Sequence, residues 1–143
     1  MFQKIVVPVD LAHEAALGRT LQVAADLART HKAALCFVGV ASSTPGVVAR
    51  TPEEYDAKLK VFAASQAAQH GVPASGHAII SHDPAVDLNK ALEKAIRDLG
   101  ADLVVMATHM PNVSDYIWAG HGAHVAAHSP ASVLLVRDQE PTK

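Results

Sequence analysis

Ala101-Asp102-Leu103-Val104-Val105-Met106-Ala107-Thr108-His109 is the stretch whose reading decides the fold. Leu103–Ala107 is a short, valine-rich apolar run, and such a run reads as a strand buried on both faces. A helical pattern precedes it. Asp83 and Pro84 open that helix, Leu88, Leu92, Ala95 and Leu99 recur on one face, and Gly100 stops it. Residues 107–124 follow, with several turn formers, three histidines and one Trp, but no Lys or Arg. A short helix at roughly Gly122–His128 then leads to a fifth strand, Ser132–Arg137.

Toward the N-terminus the same alternation repeats. Ile5–Val9 reads as a buried strand, and Glu14–Thr30 as a helix with Leu17, Leu21, Ala24 and Ala28 on one face. Ala34–Val40 is a second strand and Ser42–Val48 a loop. Thr51 caps a helix whose first turn holds Pro52, Glu53 and Glu54, and whose inner face is Tyr55, Leu59, Phe62 and Gln66. Gly71 and Pro73 end it, and Gly76–Ser81 is the third strand. Alternating strands and helices predict a parallel sheet with helices on both faces and right-handed crossovers. Ligands in such folds bind beyond the carboxyl ends of the strands, where the winding reverses. If strand four returns beside strand one, Pro8-Val9-Asp10 and the 107–124 loop line that crevice. Residues 1–138 read as one domain and 139–143 as a polar tail.

Composition removes several classes. The 143 residues carry a formal net charge of −2 and no basic stripe, so a nucleic-acid partner is not expected. No apolar run approaches the ~20 residues of a membrane span, and no insertion is expected. The single cysteine, Cys36, lies in an apolar run and reads as a small buried hydrophobe in a reducing compartment, so the expected location is the cytoplasm.

Three stretches resemble the universal stress protein family. They are Ile5-Val6-Val7-Pro8-Val9-Asp10, the Ala101–His109 stretch, and His128-Ser129-Pro130-Ala131-Ser132-Val133-Leu134-Leu135-Val136-Arg137; His82-Asp83-Pro84-Ala85 fits as well. The resemblance implies a three-layer Rossmann-like fold, a five-stranded parallel sheet ordered 3-2-1-4-5, and usually a homodimer. Many members bind ATP through a Gly-x2-Gly-x9-Gly-Ser/Thr loop. Those positions fall here on Ala107, Met110, Gly120 and His121, so only the third glycine is kept. His109-Met110-Pro111, with Tyr116 and Gly120, is similar to a subgroup that lacks the second glycine and in which nucleotide binding is still a reported property.

The departures have physical meaning. Pro111 pushes Met110 toward extended backbone, so the loop cannot follow the glycine path unchanged. Met110 would then lie against an adenosine, seal the crevice, or plug a gap. Gly120-His121-Gly122-Ala123 opens a helix whose free N–H groups suit an anion, or is only a turn into that helix. Asp10 would accept from adenine, hold Mg²⁺, or cap the next helix, and in the family this aspartate usually lies near the base. Pro8, Val9, Val40, Met106, Ala107 and His109 complete the expected wall. His121, His124 and His128 are spaced to share one helix side, but without a Cys partner or an intervening Glu they read as surface or capping residues rather than a metal site. Ser114, Asp115 and the histidines form no recognisable catalytic set.

The leading expectation is a protein that binds an adenine nucleotide (ATP, or AMP or ADP, with Mg²⁺ as an accompanying ion) and signals by occupancy. The rival is a nucleotide-free dimeric adaptor acting on a protein partner such as a membrane transporter, and a slow ATPase is the third reading. Either dimer would pair through the Ser132–Arg137 edge.

Overall fold

The computed structural model describes residues 1–82, 84–109 and 116–137. Five parallel strands form one sheet in the order β3-β2-β1-β4-β5, the order the resemblance implied. In chain order the elements are β1 (Lys4–Pro8), a 3₁₀ segment (Leu11–Leu17), α1 (Gly18–His31), β2 (Ala34–Ser42) and α2 (Pro52–His70). Then come β3 (Ala74–Ser81), α3 (Pro84–Leu99), β4 (Leu103–His109), α4 (Gly122–His128) and β5 (Ser132–Arg137).

The central strands are apolar because both of their faces are covered. Ile5, Val6 and Val7 on β1, and Val104, Val105 and Met106 on β4, have no exposed surface. Helix faces complete the core as their periodicity predicts: Leu17, Leu21, Ala24 and Ala28; Tyr55, Leu59, Phe62 and Gln66; and Leu88, Leu92 and Ala95 are all buried. Leu99 is only partly buried. Thr51 caps α2, its side chain accepting from the Glu54 N–H at 3.1 Å. Cys36 is buried, and burial pushes its thiol up from the ordinary value. Among the described residues, no helix is long and apolar enough to cross a membrane.

Three boundaries differ from the sequence reading. The helix expected over 14–30 is two elements, the end of the 3₁₀ segment and then α1 from Gly18; His13 (φ −131°, ψ 30°), just before that range, is non-helical inside the 3₁₀ segment. Asp10 caps the 3₁₀ segment, its carboxylate accepting the Ala12 N–H at 3.1 Å. Strands β2 and β3 also outrun their apolar runs and pair from Leu35↔Ala74 to Ser42↔Ser81. Ladder hydrogen bonds are made by backbone, so they continue where hydropathy no longer signals a strand. The expected cap at Asp83 lies outside the described residues.

β1 is fastened differently on its two sides. It pairs with β2 from Lys4↔Ala34 to Pro8↔Val38, and the Val9 N–H continues the ladder to the Val38 carbonyl at 2.8 Å. With β4 it shares only Ile5↔Leu103 and Val6↔Val104. The lower end of this short seam is stapled by Asp102, whose carboxylate accepts the Gln3 N–H at 2.9 Å and the Lys4 N–H at 3.1 Å. Above Val6 the two strands part.

The staple yields a stability prediction. Asp102→Ala removes the acceptor for two amides at the entry to β1, and urea unfolding should show a loss of about 1–2 kcal/mol. Asp102→Asn keeps one carbonyl acceptor and should lose less. Equal stability of all three proteins would show that the staple is not what holds β1 to β4.

Candidate functional site

The crevice where β1 and β4 part is the place a ligand is expected in this fold class. Its floor is closed by the chain's own side chains. Trp118 is 1% exposed and its indole N–H donates to the Val9 carbonyl at 3.0 Å. One residue earlier, the Ile117 N–H donates to the second carboxylate oxygen of Asp10 at 3.1 Å. Tyr116 is buried beside them. The returning loop thus occupies the carbonyl and carboxylate at the tip of β1. An unmatched buried carbonyl would be costly, which explains why an indole rather than a phenyl ring sits there.

What remains open is displaced toward β2. A cavity of about 170 Å³ lies over the carboxyl ends of β1 and β2, lined by Asp10, Val40, Ser42, Val48, Ala49, Tyr55 and Ile117 among others. A larger, open groove of about 590 Å³ runs beyond it against Leu11, Glu14, Glu54, Lys58 and Val61. Both touch Val47 and Val48, so the loop after β2 is the partition between them. Lys58 Nζ donates to the Val48 carbonyl and ties that loop to α2.

Tyr55 shapes the cavity wall. Burial pushes its phenol well above the ordinary value, and the negative charge of Asp10 adds to this; the Val40 and Leu11 backbone N–H groups at its oxygen pull the other way. The phenol therefore stays protonated. Its ring reaches the sheet because residue 39 is glycine: a Cβ there would run into the Tyr55 hydroxyl.

The expected site residues divide into groups. Asp10 and Val40 line the cavity. Pro8, Val9, Met106 and Ala107 are buried in the sheet and do not line it. Of the roles weighed for Asp10, the cap is made, since its carboxylate takes the Ala12 and Ile117 amides. The His109 side chain and all of Met110 lie outside the described residues. Gly120 (φ 78°) and Ala123 are exposed. Gly122 is buried, and a Cβ on it would stand 2.8 Å from Leu135 Cδ2, so this glycine serves the approach of α4 to β5. His121 turns toward α3: its Nδ1–H donates to Asn89 Oδ1 at 2.5 Å and its ring stands edge-on to Trp118. Burial, and then the charge of His124, hold its pKa below the ordinary imidazole value. It is thus a poor cation for a phosphate near neutral pH.

Sequence reasoning did not assign Tyr55, Ser42, Ala49 and Ile117 to the site. Tyr55 was correctly read as inward-facing, but periodicity cannot tell a core ring from a ring that also walls a cavity.

A family model described as the universal stress protein family matches residues 1–137. Among solved structures, a universal stress protein family member from Burkholderia pseudomallei is 24% identical, with TM-score 0.65, over 94% of this chain and 95% of its own. The Archaeoglobus fulgidus universal stress protein in complex with dAMP is 18% identical, with TM-score 0.64, over 93% and 96%. An Arabidopsis thaliana family protein with AMP bound is 11% identical, with TM-score 0.60, over 96% and 92%. At these identities the likeness is one of fold.

Trp118 is the chain's only tryptophan, so its fluorescence reports this crevice directly. Emission should be that of a buried indole and resist iodide quenching. Trp118→Phe keeps an aromatic ring but orphans the Val9 carbonyl, and should cost about 1–3 kcal/mol in denaturant unfolding. A solvent-like emission maximum would contradict the closed floor.

Proposed function

This chain belongs to the universal stress protein family, and from that premise we propose that it binds an adenine nucleotide over the carboxyl ends of β1 and β2 and signals by occupancy. The observation that carries this reading is the cavity beside Asp10 and Val40. It has apolar walls, a fixed carboxylate and a polar Ser42, the mixture that orients a flat heterocycle. At about 170 Å³ it suits a base rather than a whole nucleotide. The ribose and phosphates would extend outward, toward the exposed Gly120 and Ala123. Family structures holding dAMP and AMP support the same ligand class.

ATP, ADP and AMP are all within this proposal. No Lys or Arg lines the cavity among the described residues, so Mg²⁺ would accompany a triphosphate. The mechanism is a population shift: a nucleotide that binds one arrangement of the loop more tightly favours the surface that arrangement presents. Slow hydrolysis is not assigned, since no base stands in place among the described residues. Residues 1–138 would act as one domain. The single buried Cys36 fits a reducing compartment, and we assign the protein to the cytoplasm.

One observation favours the rival adaptor. The buried Trp118 covers the tip of β1 and takes the Val9 carbonyl, so a family member that no longer needs a nucleotide would look much like this at its floor. Both readings share a homodimer. β5 is the last strand of the sheet, and Leu134 and Leu135 are 39% and 38% exposed on it. Pairing β5 with its copy would cover them and remove the free edge.

Calorimetry with AMP, ADP and ATP plus Mg²⁺ tests the leading reading. Binding should be saturable, and Ala49→Phe, which puts a ring into the cavity and leaves the Asp10 carboxylate in the chain, should weaken it at least tenfold, about 1.4 kcal/mol. Absence of heat and of any thermal shift at millimolar nucleotide would leave the adaptor. For the dimer, sedimentation should show two copies for the native chain and one for Leu134→Lys. A native monomer would end the edge-pairing proposal.

A further inference from the structure

We propose that Glu93, His124 and His128 form a divalent-metal site, suited to Zn²⁺, at the seam between α3 and α4. This is independent of the nucleotide reading. Each residue offers one ligand atom, and these atoms lie within 4.8 Å of one another; this is the one such group among the described residues. Ligands about 2 Å from a tetrahedral zinc stand roughly 3.3 Å apart, so the ligand atoms must close by up to about 1.5 Å to complete the set. His128 is exposed and has room for that movement.

The hydrogen bonds already prepare the donors. His128 Nδ1 lies 2.9 Å from the His124 carbonyl. A carbonyl only accepts, so Nδ1 carries the proton and Nε2 keeps its lone pair. A ring N–H anchored on a backbone carbonyl is the usual support of a metal-ligating histidine, because it fixes the tautomer that leaves the other nitrogen free to ligate. His124 Nε2 faces Glu93 Oε1 at 3.1 Å, with the carboxylate side chain only 15% exposed. Metal would replace the proton shared between them. The two imidazoles are stacked, with centroids 4.1 Å and planes 19° apart, so their in-plane lone pairs run side by side and the exposed His128 ring must turn to bring both onto one ion. Their four-residue spacing is the helical spacing at which two histidines reach one zinc ion.

The sequence spacing of the histidines favoured a surface role, since no acidic residue lies among them. Glu93 comes from α3, 31 positions before His124, and only the packing of α4 on α3 supplies it. Two imidazoles and one carboxylate match borderline ions such as Zn²⁺ and not Mg²⁺, which prefers oxygen ligands and keeps its waters. Three protein ligands at a half-open seam leave a fourth position for water.

The test uses the untagged full chain stripped with a chelator and titrated with Zn²⁺ against a chromophoric competitor. One zinc per chain is expected, and Co²⁺ should give the visible absorption of a tetrahedral site. His128→Ala and Glu93→Gln should each weaken zinc binding by about tenfold or more, while His70→Ala, on α2, leaves it unchanged. Metal-free thermal melts guard against misfolding. Should Glu93→Gln fail to fold, the exposed His128→Ala decides alone. No stoichiometric zinc, or an affinity that neither variant changes, would overturn the site.

Discussion

The separation of β1 from β4 above Val6 is the constraint on which the functional end of the molecule depends. Strand one stays paired with strand two to its own tip, whereas one and four share two register pairs and then diverge. Divergence leaves backbone groups without ladder partners in a region too buried for water to serve them. The chain solves this with the segment that returns from β4. An indole N–H takes the carbonyl of Val9, and a backbone N–H takes the carboxylate of Asp10. Such bonds are modest in net energy when made and costly when absent. The position of residues 116–118 is therefore dictated from below, by the strand they cover.

That requirement changes what the two glycines flanking His121 mean. Along the chain, Gly120 and Gly122 read together as a turn that lets an anion approach closely. In the fold they serve different neighbours. Gly120 takes a positive φ at an exposed turn, and Gly122 lets α4 sit close to Leu135 on β5. His121, between them, is engaged by Asn89 and faces α3. Three residues on, in α4, His124 faces Glu93. α4 is short, and polar contacts as well as the buried Val125 dock it, which sets it apart from the long helices that rest on apolar stripes.

The sheet was readable in the sequence to within a residue or two. Its strands are short β-branched runs, its helices have clean inner faces, and Thr51 and Gly100 mark their ends with local chemistry. The 3₁₀ character of Leu11–Leu17 was not readable, because apolar spacing does not tell a 3₁₀ turn from an α-helical one. At the site, Asp10 and Val40 were found because strand tips can be located from pattern. The bond from Trp118 to Val9 was not foreseeable, since the two lie 109 positions apart. Glu93 and Ala49 were missed for the same reason: a seam between helices and the wall of a cavity are properties of packing, with no periodicity of their own.

Residue 39 shows how far such packing reaches. Its missing side chain is filled by the Tyr55 ring, and that ring is one wall of the space beside Asp10 and Val40. The width of the chamber is therefore written into the middle of a strand, at a position no ligand would touch. A relative with a bulkier residue there must tilt its aromatic neighbour aside, and would inherit a differently shaped chamber even if every lining residue were identical.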